Sequence, residues 1–305
     1  MNQQTSRRAV VRTPHGPESI EIVDVPVPEP GQGQVLVKVA AAAINPVDLE
    51  VTGGGLHRLG LVTQPEHTGL GADFSGVVEA IGDDVDLAVG TRVAGFVGGF
   101  DRDHGSHAEH VVVDAADVAV LPDGMCPNVA ASLPLTVTTA AQLLEVLGAV
   151  PAEGRRLLVT GAAGGVGAAV AALAAARGWA VTGLARAGDE AFVRGLGVDF
   201  TAAPQGRWDV VADAAAMQDE AVSLVRDGGR FVGVKPGLEP DAERGIAVDV
   251  VVSRPDGPLL AGLLDRVVDG TVPARIHAAL PLAEVVGAYQ LLANGGVRGR
   301  VVVLP

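Results

Sequence analysis

Two hydrophobic rhythms divide the chain. In the first part, apolar residues alternate or run in short blocks that close on Pro, Gly or Asp: "RRAVVRTPHG", "SIEIVDVPVPEP", "GQVLVKVAAAAINP", "DFSGVVEAIG", "TRVAGFVGG" and "HAEHVVVD". Many short strands punctuated by turn residues predict a distorted barrel or sandwich. Near "VAVLPDGMCPNVAASLPLTVTTAAQLLEVLG" the period lengthens toward that of a helix, with Asn128 as candidate cap and Ser132–Leu133–Pro134 as an interruption. From Arg155 onward strands alternate with helices. Strands are expected at "RLLVTG", "AVTGLAR", "WDVVADA", "RFVGV" and "AVDVVVS", and helices at 166–177, 189–196 and 217–226. That alternation predicts an α/β fold with an open, doubly wound parallel sheet. The end of the chain reads helix, helix, strand: "LLAGLLDRVVDG", "LAEVVGAYQLLANGG" and "RGRVVVLP".

Composition narrows this picture. At 305 residues the chain suits two domains. Aromatic residues are only 3% against 48% hydrophobic, so cores must fill by close approach of small side chains, which 41 glycines permit. A net charge of −14 repels phosphate backbones and anionic lipid, so neither nucleic acid nor a membrane surface is an expected partner. One cysteine, Cys126, excludes an intramolecular disulfide and a cysteine-based metal cluster. With no apolar run after "MNQQTSRR" a signal peptide is not expected, and a reducing cytoplasm fits. Leu157–Ala176 carries no charge over twenty residues, enough for a membrane span. Its Ala and Gly content instead predicts a strand, a tight turn and a helix.

That turn, "LLVTGAAGGVG", holds the main chemical signal. Ala162, Gly164 and Gly167 fill an A-x-G-x-x-G form of the dinucleotide fingerprint, between a predicted strand and a predicted helix. Gly164 admits close approach of a pyrophosphate. Gly167 admits close packing of helix on sheet. The helix N-terminus then turns free N–H groups toward the phosphates. After the second strand, where NAD sites place an acid, the chain has Arg186 in "GLARAGDE". A guanidinium matches a 2′-phosphate, which favours NADPH; the alternatives are a solvated surface Arg186, or Asp189 aimed at the same pocket. A short-chain dehydrogenase pattern also fits the loop, but the only tyrosine, Tyr289, is followed four residues later by Ala293, so the Y-x-x-x-K pair is absent.

"DHGSHAEH" places His104, His107 and His110 close together with Asp103 and Glu109, as a metal site would. On a strand, residues three apart point to opposite faces, so His107 and His110 would diverge. His104 precedes a turn at Gly105 and could swing back.

Nearly end to end, the chain resembles the medium-chain dehydrogenase/reductase superfamily, in its zinc-free quinone oxidoreductase branch related to zeta-crystallin. The marks are "VPVPEPGQGQVLVKVAAAAINPVD", "GADFSGVVEAIGDDV", "VGTRVAG", "HAEHVVV", "ASLPLTVTTA", "LLVTGAAGGVG", "FVRGLGVD", "DGGRFVGV" and "GGVRGRVVV". The resemblance implies a GroES-like substrate domain over 1–123, completed by 260–305, a Rossmann NADPH-binding domain over 124–259, and an active site in the cleft between them. It implies Asn45 at the nicotinamide ribose or substrate and Thr139 near the nicotinamide phosphate. Ala163, Gly164, Gly165 and Val166 would hold the pyrophosphate, and Asp213, Ala214, Gly233 and Val234 would line the crevice. Zinc-dependent relatives carry a Cys where this chain has Asn45 and a His where it has Ala72, so no metal is expected. The segment around His107 and His110 matches one with aromatic residues in relatives. Glu50 stands where many relatives have a substrate-facing Tyr; it would either deliver a proton or point to solvent. The implied chemistry is hydride transfer from NADPH to a quinone or α,β-unsaturated carbonyl by a cytoplasmic homodimer, with "GIAVDVVVS" as the pairing edge. Alternatives are a pathway-specific enoyl reductase, a non-catalytic NADPH-binding sensor or structural protein, and a zinc alcohol dehydrogenase with stoichiometric metal.

Overall fold

The computed structural model describes residues 4–149 and 156–305. It forms two compact units. The first comprises Met1–Leu135, Arg254–Leu264 and Ala274–Pro305; the second comprises Thr136–Ser253 and Asp265–Pro273. The change of unit falls at Leu135/Thr136, later than the expected 124, because the short helix Pro127–Ala131 packs on the strands of the first unit.

In the first unit the spine is Gln34–Ala43, whose Val, Leu and Ala residues are buried except Ala40, which with Lys38 is exposed. One edge pairs antiparallel with Asp73–Ile81. The other pairs with His110–Asp114 through Gln34–Lys38, and with the C-terminal strand Arg300–Leu304 through Ala42–Ala43. This seven-stranded sheet encloses a core of Val35, Val37, Phe74, Val78, Val93, Val111 and Val113. A smaller sheet centres on Thr5–Val11, between Ile20–Pro26 and Thr68–Gly69. A second core gathers Ile44, Val51, Leu56, Leu70, Leu282, Val285 and Tyr289, drawn from both ends of the chain.

The second unit holds a six-stranded parallel sheet. Numbered within the unit, its strand order is 3-2-1-4-5-6: Asp199–Thr201, Ala180–Leu184, Arg156–Thr160, Trp208–Asp213, Val225–Gly233 and Ala247–Val250. This is the doubly wound dinucleotide order, whose switch point lies between the first and fourth strands. The helix Gly165–Ala176 buries Gly167 through Ala174, small residues that let it lie close to the sheet.

Three local expectations change. Cys126, not Asn128, precedes the helix, because Pro127 takes the first helical position, where its missing N–H costs nothing. The helix expected over 217–226 is only Asp219–Ser223, since Val225 already enters the next strand beside Trp208. Between the last two helices, Ile276–Pro281 forms an unforeseen strand, parallel to Arg300–Leu304. "IHAALP" carries too little β-branched or alternating character to show this locally; its pairing partner decides it.

Candidate active site

At the C-terminal edge of the parallel sheet, one register row runs Thr201, Leu184, Thr160, Asp213, Gly233, Val250. Predicted site residues Asp213 and Gly233 therefore stand level with the end of the glycine-loop strand. Thr160 Oγ1 donates to Asp213 Oδ1 at 2.6 Å and accepts from the Ala215 amide at 3.1 Å. The Gln218 amide donates to Asp213 Oδ2 at 2.8 Å. Asp213 is fully buried with both oxygens engaged, so it braces the two strand ends at the switch point. Beyond it the backbone tightens: Ala216 and Gln218 both adopt φ of 55°.

The loop itself follows from steric limits. Gly161 takes φ +61°, and its carbonyl accepts from the Gly164 amide at 2.7 Å. Gly164 caps the helix, and the first intrahelical bond runs from the Ala168 amide to the Gly164 carbonyl at 3.0 Å. The amides of Gly165, Val166 and Gly167 thus precede the helical ladder, at the positive end of its dipole. A Cβ on Gly167 would stand 2.2 Å from the Gly161 carbonyl oxygen; on Gly164 it would stand 3.1 Å from the same atom. The two glycines stand differently: Gly167 is buried and permits packing, while Gly164 is exposed and leaves more room for a Cβ. Ala163 is half-buried beside them.

Arg186 lies two residues past the row, exposed, and its guanidinium makes no hydrogen bond or ion pair among the described residues. Asp189 is buried, so the two side chains have different surroundings. Thr139 is buried on the helix Pro134–Leu147; Ala214 and Val234 are half-buried at strand ends.

In the first unit, Asn45 begins the helix Pro46–Thr52 and is 4% exposed. Its amide N–H donates to Asp48 Oδ2 at 2.7 Å. Its side chain meets two residues the sequence reading passed over, Asp73 and Arg300. Asn45 Nδ2 donates to Asp73 Oδ2 at 2.9 Å, and Arg300 Nη2 donates to Asn45 Oδ1 at 2.5 Å and to Asp73 Oδ2 at 3.1 Å. Burial raises the Asp73 carboxyl to about 6, against the opposing pull of Arg300, the Leu135 amide and Asn45. Burial also raises Asp48, opposed by its amide partners and by Arg102 and Arg300. A carboxylate heading an apolar strand, "DFSGVV", was the available signal: charge at that place requires a buried partner. Glu50, by contrast, is exposed, and its carboxylate lies over Gly55.

The three histidines separate. His104 pairs with Asp103 at 2.8 Å on the surface. His107 is fully buried and meets Tyr289. His110 meets Ser6 at 3.0 Å and Glu79 at 3.0 Å. Among the described residues, no three His, Cys, Asp or Glu side chains are grouped to hold a metal. Nor do the positions of zinc ligands in related dehydrogenases fit that ion here. Ala72 offers no donor atom, the Asn45 amide is engaged, and a guanidinium already sits against Asp73. Among the described residues, no helix is long and apolar enough to cross a membrane.

Residues 31–123 match the family described as alcohol dehydrogenase GroES-like domain, and residues 187–303 the family described as zinc-binding dehydrogenase. A 2-methylene-furan-3-one reductase of Solanum lycopersicum is 32% identical over 292 residues, covering 89% of this chain and 71% of that protein. An NADPH-dependent alkenal/one oxidoreductase, chloroplastic, of Arabidopsis thaliana is 32% identical over 291 residues, covering 89% and 72%. The solved quinone oxidoreductase of Coxiella burnetii superposes with a TM-score of 0.87 at 26% identity, covering 99% of this chain and all of that one. Fold, glycine loop and full-length similarity agree: the chain belongs to the medium-chain dehydrogenase/reductase superfamily, among its quinone and alkenal oxidoreductases.

Proposed function

We propose that this protein is an NADPH-dependent, metal-independent reductase that delivers a hydride to a quinone or an α,β-unsaturated carbonyl. The observation that carries the reading is the exposed Arg186 guanidinium, beyond the edge where the glycine-loop helix begins. Relatives named for reducing furanones, alkenals and quinones support the acceptor class.

The bound dinucleotide supplies the hydride; the protein supplies position and charge. Amides around Ala163, Gly164, Gly165 and Val166 hold the pyrophosphate at the helix N-terminus. Arg186 pairs with the 2′-phosphate in the fork geometry that guanidinium offers. Thr139, Ala214, Gly233 and Val234 line the dinucleotide, and the Thr160–Asp213 bond keeps the strand ends in register. Asn45 contacts the ligand through its side-chain oxygen. Glu50 is exposed, so a proton taken from it exchanges with water. Such acceptors need only a hydride at an electrophilic carbon and a later proton. Their reduction does not require the Lewis acid that the Asn45 and Ala72 positions are unable to bind.

Two further parts belong to this reading. Ala247–Val250 is an edge of the parallel sheet, and pairing of that edge between two copies would form a homodimer. With Cys126 as its one thiol, the protein suits a reducing cytoplasm.

The test is oxidation of NADPH and of NADH over a panel of quinones, enals and enones, before and after exhaustive chelation, with metal analysis of the same sample. The expected result is turnover with NADPH preferred and unchanged by chelation. No oxidation with any acceptor, or a rate that follows bound zinc, overturns the proposal.

A further inference from the structure

Asn45, Asp73 and Arg300 form a closed ring of hydrogen bonds inside the first unit. The chemistry of the partners settles which way the amide points. A guanidinium only donates, so the atom 2.5 Å from Arg300 Nη2 is the amide oxygen. A carboxylate accepts, so the atom 2.9 Å from Asp73 Oδ2 is the amide nitrogen. The second N–H of Nδ2 faces the Ala43 carbonyl at 3.4 Å. Asp73 is held in turn by the Leu135 amide, which donates to Oδ1 at 2.6 Å. Both N–H groups of Asn45 are therefore used within the fold, and one lone pair remains on Oδ1.

We infer that Arg300 is a positioning residue that acts through Asn45: with Asp73 it locks the amide so that the remaining Oδ1 lone pair accepts a hydrogen bond from a ligand hydroxyl, of the kind a ribose carries. This rests on the reading above that Asn45 contacts the bound ligand. The ring explains why a charged pair is kept at this depth. Neutral groups at both 73 and 300 would leave the amide free to flip, and a flipped amide offers donors where a hydroxyl needs an acceptor. Asp73 balances the guanidinium, whose side chain is 12% exposed while that of Asp73 is fully buried. Both bonds leave one nitrogen, Nη2, whose two N–H groups lie fixed in the guanidinium plane; lysine would keep the charge but not that fixed plane.

The experiment measures NADPH affinity of the full chain by nucleotide fluorescence, which needs no knowledge of the acceptor. Because R300Q alone strands the Asp73 carboxylate, the ring is dismantled as D73N/R300Q, with near-UV circular dichroism as the check on folding. N45A should weaken binding about three- to tenfold, the range of one neutral hydrogen bond. D73N/R300Q should weaken it by a similar factor, and adding N45A to that variant should bring no further loss. R300K, which keeps the buried charge balanced, should fall between wild type and D73N/R300Q, and its loss should vanish in the N45A background. Losses that multiply independently of N45A, in either variant, overturn the inference while leaving Asn45 as a ligand contact. An N45A protein that binds NADPH like wild type overturns that contact and the inference together, with the glycine loop tested separately by G164A.

Discussion

The Tyr289 hydroxyl lies 3.0 Å from Nδ1 of His107, a buried contact between residues 182 positions apart. On its other side, His107 Nε2 lies 3.4 Å from the Ala43 carbonyl, which only accepts. Nε2 therefore carries the proton, and Nδ1 accepts from the tyrosine. The rings meet edge to face, 5.6 Å between centroids, joining the histidine segment to the helix Val285–Ala293.

Y289F keeps the ring and removes the donor. It leaves Nδ1 of a fully buried imidazole unpaired, which costs about 1–3 kcal/mol. Urea unfolding should show a lower midpoint with an unchanged slope. A midpoint equal to wild type would mean that the hydrogen bond contributes nothing.

The pH dependence of stability should show two opposed contributions. Burial lowers His107 from 6.5 to about 4, so its contribution is complete above pH 6.5 and is lost as pH falls through about 4. Burial raises Asp73 from 3.8 to about 6, so its contribution is complete below pH 3.8 and is lost as pH rises through about 6. At 1.36 kcal/mol per unit, each amounts to about 3 kcal/mol, and the two nearly cancel between pH 4 and 6. Relative to wild type, D73N should turn the stability toward rising with pH across that window, and H107F toward falling. Parallel slopes in the two variants would refute the assignment.

G164A and G167A should fail in different ways. The Gly167 Cβ would meet backbone at 2.2 Å, so helix and strand must separate, and loss of stability or of soluble protein is expected. At Gly164 the approach is 3.1 Å and φ is −84°, so the variant should unfold close to wild type while binding dinucleotide more weakly. Calorimetry read beside a binding titration distinguishes them. Equal loss of stability in both would remove the division of labour between the two glycines.

R186A should weaken NADPH about ten- to a hundredfold, from loss of charge-assisted hydrogen bonds of ~1.5–3 kcal/mol, and leave NADH nearly unchanged. The measurement is the ratio of kcat/KM for the two cofactors. An unchanged ratio would return Arg186 to the role of a solvated surface residue.

The glycine loop was readable because its requirements are local. Backbone turn, close approach and helix entry are set by residues within one strand–turn–helix, and "LLVTGAAGGVG" meets them in order. The alternation of strands and helices was readable for the same reason, as was the absence of Cys and His at the positions of Asn45 and Ala72. Ile276–Pro281 was not, because its state depends on a partner, Arg300–Leu304, rather than on its own pattern.

By itself, then, the sequence determined a two-part α/β chain, a glycine-rich strand–turn–helix around Gly161–Gly167 and a cation at 186. Only the tertiary structure decided which polar residues would lose their water. Asp73 and Arg300 meet across 227 positions, and His107 meets Tyr289 across 182. Counting histidines in "DHGSHAEH" suggested convergence, and strand geometry already set His107 against His110; folding decided their partners, sending His104 to the surface, His107 into the core and His110 to Ser6 and Glu79. Periodicity reports which face of an element is apolar. It carries no information about which distant group will satisfy a buried charge, because that partner is chosen by chain topology and by the cost of desolvation.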